Sequence, residues 1–292
     1  MTLTEIILIL AGTCTVMLFG VKLICFVMVL APKLCYPLPE SFMTSLGKWA
    51  VITGGSDGIG RAYAQELSKY GLNVVIISRN QEKLDRAART IELATGVQVK
   101  VIAADFTKDN IYGHIMERIE GLDIGILVNN VGILPNQIPC RLLETAGLEE
   151  MCSIVLPGMQ ERGRGAVLNV SSGIAKIPFP LYTLYAASKV FVERFSQGLQ
   201  AEYRSKGIII QTVAPFGVST SMTLYQKPDL VTFTAEDFVR SSLKYLRAGD
   251  QTYGSITHTI LGWILQAIPT WVLRSKAFQH NFEEYVKEQI GR

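Results

Sequence analysis

Residues 49–67 read W-A-V-I-T-G-G-S-D-G-I-G-R-A-Y-A-Q-E-L and hold the pattern that decides the fold. A short apolar run is followed by a turn with four glycines, and small or apolar residues then recur at helical spacing. The pattern predicts a strand, a tight turn and a helix. Glycines in such a turn let a pyrophosphate approach the free N–H groups at the helix N-terminus. An ordinary glycine-rich turn has the same spacing, so the glycines alone leave both alternatives open.

Length and charge narrow the class of protein. A chain of 292 residues suits one large α/β domain with appendages. The net charge is +3, and no basic block alternates with aromatic residues, so nucleic acid is not an expected partner. A mean hydropathy of +0.27 is high for a soluble enzyme and indicates a membrane. The five cysteines and three histidines have no disulfide or metal-site spacing, and we expect no metal.

The N-terminal segment is apolar over residues 6–30, apart from small residues, hydroxyls and Lys22, and is long enough to cross a bilayer as one helix. A cleaved signal peptide is the alternative. Glu5 in place of a positive cluster, and the lack of a small-residue cleavage site, favour a retained anchor. Lys22 also leaves an interfacial or re-entrant helix open.

Residues 1–32 are therefore predicted to be a membrane anchor, 33–45 a proline-stiffened linker, and 46–292 the folded domain. Lys33 and Lys48 follow the anchor and favour a cytosolic position for that domain.

The next strand predicts the cofactor. Residues 73–78, N-V-V-I-I-S, read as a buried strand that Arg79 follows. An acidic residue at this point binds a ribose 2′-hydroxyl, whereas an arginine suits a 2′-phosphate, so NADPH is expected over NADH. The alternative is a solvated arginine at a helix start. Asp105, just past a third strand at 97–103, either accepts a hydrogen bond from an adenine amino group or caps a helix.

Two asparagines follow the fourth strand, which ends near Val128. Asn129 and Asn130 lie where ligands bind in open α/β sheets, at the carboxyl edge of the strands. Their amides can brace neighbouring strands and meet a cofactor ribose. They can equally satisfy loose backbone groups.

The candidate catalytic residues come from residues 166–189. A fifth strand ends at Ser172, and Y-A-A-S-K begins thirteen residues later, with Tyr185 and Lys189 on one face of a helix. The Lys189 ammonium and the positive nicotinamide of the oxidised cofactor are expected to lower the pKa of Tyr185, so that this phenol protonates a carbonyl oxygen as hydride arrives. Ser172 donates a hydrogen bond to the same oxygen. Alone, a tyrosine and a lysine at this spacing form a solvated face more often.

Together, T-G-G-S-D-G-I-G at 53–60, N-N-V-G at 129–132, Ser172 and Y-A-A-S-K resemble the short-chain dehydrogenase/reductase family, from about Lys48 to Met222. The resemblance implies an α/β fold, a Rossmann-type doubly wound parallel sheet with strand order 3-2-1-4-5-6-7. It also implies that the helix from Tyr185 to Tyr203 is a candidate homodimer surface. The implied cofactor-binding residues are Gly54, Ser56, Asp57, Gly58, Ile59, Gly60, Arg79, Asp105, Asn130, Tyr185, Lys189, Val218 and Thr220.

Within this family, N-V-S-S-G-I-A-K-I-P-F-P-L-Y-T-L-Y-A-A-S-K and the apolar N-terminus resemble the membrane-bound 17β-hydroxysteroid dehydrogenases. The resemblance implies NADPH-dependent reduction of a 17-ketosteroid, an apolar ketone, to the 17β-hydroxysteroid at the endoplasmic reticulum membrane. Reduction of a very-long-chain 3-oxoacyl-CoA is the alternative activity.

One segment departs from the family. Members carry a long helix between N-N-V-G and the serine strand, with an asparagine that holds a water in a proton relay. Here residues 134–165 contain only Asn136, too early for that role. The resemblance implies that roughly fifteen residues are absent, about four helical turns. We hypothesise that this chain is a variant with reduced or absent turnover. The second hypothesis for its function is therefore a nucleotide-binding or partner-binding protein without catalysis.

Apolar loops predict the substrate side. Ser172 and Tyr185 would face a pocket for a large apolar ketone, although packing of the loops on their own scaffold is an equal alternative. The proposed walls are Leu224, Tyr225, Leu230, Val231 and Phe233, with Pro178, Phe179, Leu181 and Tyr182 opposite. A C-terminal apolar and amphipathic segment begins near residue 254. Its run 260–273, with Trp263 and Trp271, is too short for a span and either lies in the bilayer interface or covers the pocket.

Overall fold

A computed structural model describes residues 2–30, 38–39, 41–132, 148–178, 180 and 182–290. In these residues seven parallel strands form one sheet, in the order β3-β2-β1-β4-β5-β6-β9. The strands are β1 (Trp49–Thr53), β2 (Asn73–Ser78), β3 (Val99–Ala103), β4 (Ile124–Asn129), β5 (Gly165–Val170), β6 (Ile208–Val213), β7 (Val218–Ser219), β8 (Phe233–Thr234) and β9 (Gln251–Thr252). The α-helices are α1 (Leu3–Leu30), α2 (Phe42–Leu46), α3 (Gly58–Lys69), α4 (Gln81–Thr95), α5 (Tyr112–Ile119), α6 (Leu148–Arg162), α7 (Thr183–Tyr203), α8 (Ala235–Leu243), α9 (Ile256–Ala267), α10 (Thr270–Leu273) and α11 (Lys276–Ile290).

The predicted doubly wound sheet is confirmed. Its seventh position is filled by the ninth strand of the chain, because β7 and β8 pair with each other in a separate short ribbon. The order of the strands reverses direction between β1 and β4: β2 and β3 follow on one side of β1, and β5 and β6 follow on the other side, beyond β4. Ligands of such folds bind at this reversal, beyond the carboxyl ends of the strands.

The strands are apolar along their whole length because helices cover both faces of the sheet. Alternate residues of β1 show this arrangement: Ile52 packs into one core layer and Val51 into the other, and both are fully buried. On the first side, α3, α4 and α8 contribute residues such as Leu67 and Phe238. This burial on two faces fixes the register of the strands and therefore the positions of their carboxyl ends.

The N-terminal part has two helices. The 28-residue α1 is apolar and exposed over Leu3–Ile24, and by length and composition it can cross a membrane. The short α2 buries Met43 and Leu46 in the domain core, although it lies largely in the stretch predicted as linker.

The connection from β4 to β5 keeps a helix of 15 residues, α6. Its buried face, which includes Met151, Val155 and Met159, packs in the second core layer against the sheet. This helix lies in the second half of the stretch 134–165, where the sequence predicted a shortened crossover, and residues 133–147 lie outside the described residues. Asn136, the one asparagine of that crossover, lies outside the described residues.

The turn after β1 brings backbone to backbone. Gly54 has a φ of +66°, in the region that favours glycine. A Cβ on Gly60 would collide with the Gly54 carbonyl and lie 2.6 Å from the Asn130 amide nitrogen. Glycine at position 60 is therefore what lets α3 begin directly above the end of β1.

We predict that Gly60→Ala lowers the free energy of unfolding by about 2 kcal/mol or more, because the added methyl group meets backbone that cannot yield. Gly113→Ala in α5 is the matched control, since a Cβ there meets nothing within 4 Å. We expect it to be neutral or slightly stabilising. Urea denaturation in detergent measures both, and equal stability of the two variants would contradict the prediction.

Candidate active site

The glycine turn leads directly into a capped helix. Asp57 is the N-cap of α3 and accepts a hydrogen bond from the Gly58 N–H at 2.8 Å. Gly58 has a φ of +54°, and a Cβ there would lie 3.1 Å from the Thr220 methyl carbon. The segment after β6 therefore docks on the turn, and it brings the predicted residues Val218 and Thr220, both buried, to the same edge. Ile59, also predicted there, packs partly on the core.

Polar side chains join this turn to the end of β2. The Ser56 and Ser78 hydroxyl oxygens are 2.9 Å apart, and Lys83 Nζ lies 3.1 Å from Asp57 Oδ2. Burial raises the pKa of Asp57, but hydrogen bonds from Lys83 and Gly58 outweigh it, and the net pKa is lowered. In the described parts of the chain, no carboxylate lies within ion-pairing distance of the exposed Arg79. The glycine turn after β1, called the glycine cradle below, is thus flanked by two cationic side chains, Lys83 and Arg79. In the described residues Arg79 has no acidic partner within ion-pairing distance.

Asp105 lies at the end of β3 and is engaged in its own turn. Its carboxylate accepts hydrogen bonds from the N–H and hydroxyl of Thr107, at 3.2 and 3.0 Å. These bonds are the main reason that its pKa is lowered, with a smaller contribution from the charge of Arg79. Asp105 therefore caps a turn, and the helical turn that follows begins after Lys108.

The two asparagines after β4 have different tasks. The Asn130 side-chain amide donates to the Thr53 carbonyl at 3.3 Å, and its backbone N–H donates to the Thr53 hydroxyl at 3.0 Å. Asn129 is buried, and its amide donates to Asn169 at 2.9 Å. Asn169 donates in turn to Ser196 of α7 at 2.8 Å. The predicted bracing of strands is present, and it continues to the helix that carries Tyr185.

Ser172, Tyr185 and Lys189 come together at the end of β5. The Ser172 hydroxyl donates to the Pro215 carbonyl at 3.4 Å and lies close enough to the Tyr185 phenol to lower the pKa of that phenol. Lys189 Nζ lies 5.6 Å from the centre of the Tyr185 ring and donates to the Val170 carbonyl at 3.1 Å. Lys189 is only 6% exposed, and burial lowers its pKa to about 8. The Ser171 hydroxyl donates to the Lys189 carbonyl at 3.0 Å and holds α7 against this strand end.

The pKa of Tyr185 differs from the prediction. Burial raises this pKa; the nearby Ser172 hydroxyl lowers it by less, and the nearby Tyr182 raises it further. The sequence predicted that the Lys189 ammonium and the positive nicotinamide of the oxidised cofactor together lower the pKa of Tyr185. For the protein side chains alone the direction is the opposite, because the loss of hydration of the phenolate dominates. The contribution of the nicotinamide stays a prediction.

The predicted substrate walls are only partly supported by the positions of their residues. Leu224 and Tyr225 are exposed and have φ values of +53°, and Leu230 is exposed as well. Phe233 instead packs on the His258 ring. Phe179 and Leu181 lie outside the described residues.

A cavity of about 540 Å³ borders α7. Pro178, Ala186 and Val190 line it, together with Arg274. Ala186 and Val190 lie on a different face of α7 from Tyr185 and Lys189. Pro178 therefore belongs to a space that the catalytic face of the helix does not border.

Two residues with contacts near the site, Ser78 and His258, could not be identified from the sequence. Ser78 ends an apolar strand and reads as an ordinary strand boundary, yet it binds Ser56. His258 is fully buried; its Nδ1 accepts from the Phe216 N–H at 3.3 Å, and its Nε2 lies 2.9 Å from the Val231 carbonyl oxygen. These contacts are distant in sequence, and no spacing rule predicts them.

A glycine cradle at a helix N-terminus, with a serine, tyrosine and lysine at the same sheet edge, defines a nucleotide-dependent dehydrogenase. Comparison with known families agrees: the profile described as short chain dehydrogenase matches residues 48–230, and the chain belongs to that family.

Among curated proteins, the chain is similar to 17-beta-hydroxysteroid dehydrogenase type 3 of Danio rerio, with 74% identity and full coverage of both chains. It is 44% identical to very-long-chain 3-oxoacyl-CoA reductase of Macaca fascicularis, over 81% of this chain and 80% of that one. Among solved structures, a short-chain dehydrogenase from Sphingobium yanoikuyae in complex with NADPH has a TM-score of 0.64 and 28% identity. That match covers 70% of this chain and 86% of the other.

The alignment with the Danio rerio protein runs over 307 positions, whereas this chain has 292 residues, a difference of 15. The shortened crossover stays a prediction.

We predict that Lys189→Met raises the free energy of unfolding at pH 7 by about 1–3 kcal/mol, because a buried ammonium costs hydration that the Val170 carbonyl only partly restores. Since the folded-state pKa of about 8 lies below the ordinary 10.5, the folded state releases its proton first. The stability of the native chain relative to the variant should therefore rise between these two pH values.

Urea denaturation of both proteins across this pH range measures the effect. Lys108→Met, at an exposed site, is the control and should leave stability unchanged. A destabilised Lys189→Met variant at pH 7 would contradict the account.

Proposed function

We propose that this chain is a membrane-bound, NADPH-dependent reductase that converts a 17-ketosteroid to the 17β-hydroxysteroid. The observation that carries the proposal is the meeting of Ser172, Tyr185 and Lys189 beside the glycine cradle. The 74% identity to a 17-beta-hydroxysteroid dehydrogenase type 3 supports the substrate class. The 44% identity to a very-long-chain 3-oxoacyl-CoA reductase makes that activity the weaker candidate.

The residues at the cradle fit NADPH. Gly54, Gly58 and Gly60 leave room for a pyrophosphate where side chains would fill the space, and the N-terminus of α3 offers it N–H donors. Arg79 and Ser56, with Lys83 nearby, suit a 2′-phosphate. The remaining proposed contacts are Asp57, Ile59, Asp105, Asn130, Tyr185, Lys189, Val218 and Thr220. NADPH, when bound, supplies the hydride and, once oxidised, a positive ring.

The three central side chains divide the remaining chemistry. Tyr185 keeps its proton at neutral pH, since burial raises its pKa, and can donate it to a ketone oxygen. Ser172 lies beside the phenol and so is placed to donate to the same oxygen as negative charge grows there. Lys189 brings a cation within 5.6 Å of the phenol ring and favours the phenolate left after transfer.

The proposal includes a place in the cell. Residues 1–32 anchor the protein, 33–45 connect, and the domain 46–292 faces the cytosol at the endoplasmic reticulum membrane. Support comes from the exposed, apolar α1 and from the lysines that follow it. We also propose that α7 provides a homodimer surface, on the family resemblance stated above.

A second candidate is a nucleotide-binding protein without turnover. The observation that favours it is the 15-position difference from the Danio rerio relative, which we assign to the crossover between Gly132 and Ala166. That crossover carries the proton relay in the resembled family. The cradle does not depend on it, so NADPH would bind even if protons were supplied too slowly for catalysis.

One experiment separates the two candidates. The full chain, Tyr185→Phe, and a chain with the fifteen-residue segment of the relative inserted are reconstituted in lipid vesicles. NADPH binding is followed by fluorescence, and oxidation is followed with androstenedione or a 3-oxoacyl-CoA. We expect all three to bind NADPH, and the native chain to oxidise it with androstenedione at least about a hundredfold faster than Tyr185→Phe.

Binding with no turnover by the native chain, and turnover after the insertion, would establish the second candidate. Turnover with the acyl-CoA alone would overturn the steroid assignment. Equal rates for the native chain and Tyr185→Phe would remove Tyr185 from the chemistry.

Arg79 provides a test of the cofactor. We predict that Arg79→Ala weakens NADPH binding about tenfold to a hundredfold, because a charge-assisted contact to the 2′-phosphate is lost, and leaves NADH binding unchanged. Arg86→Ala, at an exposed position on α4, is the matched control. Fluorescence titration measures all affinities, and equal losses for both cofactors would contradict the assignment.

A further inference from the structure

Helix α9 exposes an apolar face. Ile256, Ile260, Trp263 and Ile264 follow the i, i+4, i+7, i+8 spacing of one helix face. Ile264 is 56% exposed, and the other three are each 39% exposed. The opposite side of the helix buries His258, Thr259 and Gly262 against the domain. This apolar face is therefore partly exposed on the folded domain.

The apolar surface continues onto its neighbours. Trp271 of α10 is 73% exposed, and Leu230 in the loop before β8 is 87% exposed. The bond between His258 and the Val231 carbonyl holds this loop against α9. An exposed apolar patch of this kind on a folded domain marks an interaction site.

Charge is distributed as a membrane surface requires. Residues 251–273 contain no Asp, Glu, Lys or Arg, and the exposed Arg274 and Lys276 follow at once. An apolar face with tryptophan, bordered by cations, is the pattern of a helix that lies in the bilayer interface. The cations are placed to meet the phosphates of lipid headgroups.

The position of the N-terminal helix indicates that a lipid bilayer contacts the apolar face of α9. Helix α1, long and apolar enough to cross a bilayer, contacts α9. A bilayer around α1 therefore lies beside α9. We propose that this face and Trp271 are seated in the lipid leaflet that α1 enters, so that the domain is attached to the membrane at two places. This inference does not depend on the proposed activity.

The three tryptophans of the chain allow a direct test. Trp263 and Trp271 belong to the proposed surface, whereas Trp49 is buried at the start of β1. The full chain is reconstituted in phosphatidylcholine vesicles that carry bromine on the upper part of the acyl chains. We expect its tryptophan fluorescence in these vesicles to be about half, or less, of its fluorescence in vesicles without bromine.

The matched control is Trp263→Phe/Trp271→Phe, which leaves only Trp49 and should show no bromine quenching. The native chain provides the decisive reading, so the result does not depend on the stability of the variant. Equal tryptophan fluorescence of the native chain in brominated and bromine-free vesicles would overturn the proposal. The same absence of quenching, with cross-linking between copies through α9, would assign this face to a second copy of the chain instead.

Discussion

The site depends on one close approach, between the backbone of Gly60 and the carbonyl of Gly54. Because no side chain separates them, the free N–H groups of α3 stand directly beyond the end of β1. The Asn130 amide crosses from β4 and bonds the Thr53 carbonyl, which fastens the turn to the next strand. Thr220 then packs over Gly58 from the other half of the sheet. A bulkier residue at position 60 would displace the cradle from all of these partners.

The side of the site that carries Tyr185, opposite the glycine cradle, is built from buried polar groups. Asn129, Asn169 and Ser196 form a chain of hydrogen bonds from β4 to α7, and they fix the helix that presents Tyr185. Lys189 is buried with a backbone carbonyl as its acceptor, at a cost to its charged form. Such groups lower stability and are retained where chemistry needs them. The domain thus loses some stability by keeping away from water the phenol and the cation that the proposed reaction uses.

Much of the fold followed from local sequence rules. Apolar runs such as N-V-V-I-I-S predicted strands that the structure contains, while the order of the strands followed from the family resemblance. The meeting of Ser172, Tyr185 and Lys189 followed from helical spacing and the shared carboxyl edge of parallel strands. The pKa of Tyr185 did not, because it depends on how much water surrounds the phenol, which spacing does not reveal. The contacts of His258 could not be predicted for a related reason, since its partners at positions 216 and 231 meet it only in the folded chain.

The membrane and the active site form one account, in which an anchored domain reduces an apolar ketone. In the second candidate function, the proposed shortening of the crossover prevents this chain from completing that reaction. The most direct measurement uses NADPH with deuterium at the transferable position of its ring, the vesicle-reconstituted full chain and androstenedione. The account predicts that the alcohol formed contains one deuterium and that its oxygen-bound hydrogen comes from solvent. Bound NADPH with no deuterated alcohol would contradict it.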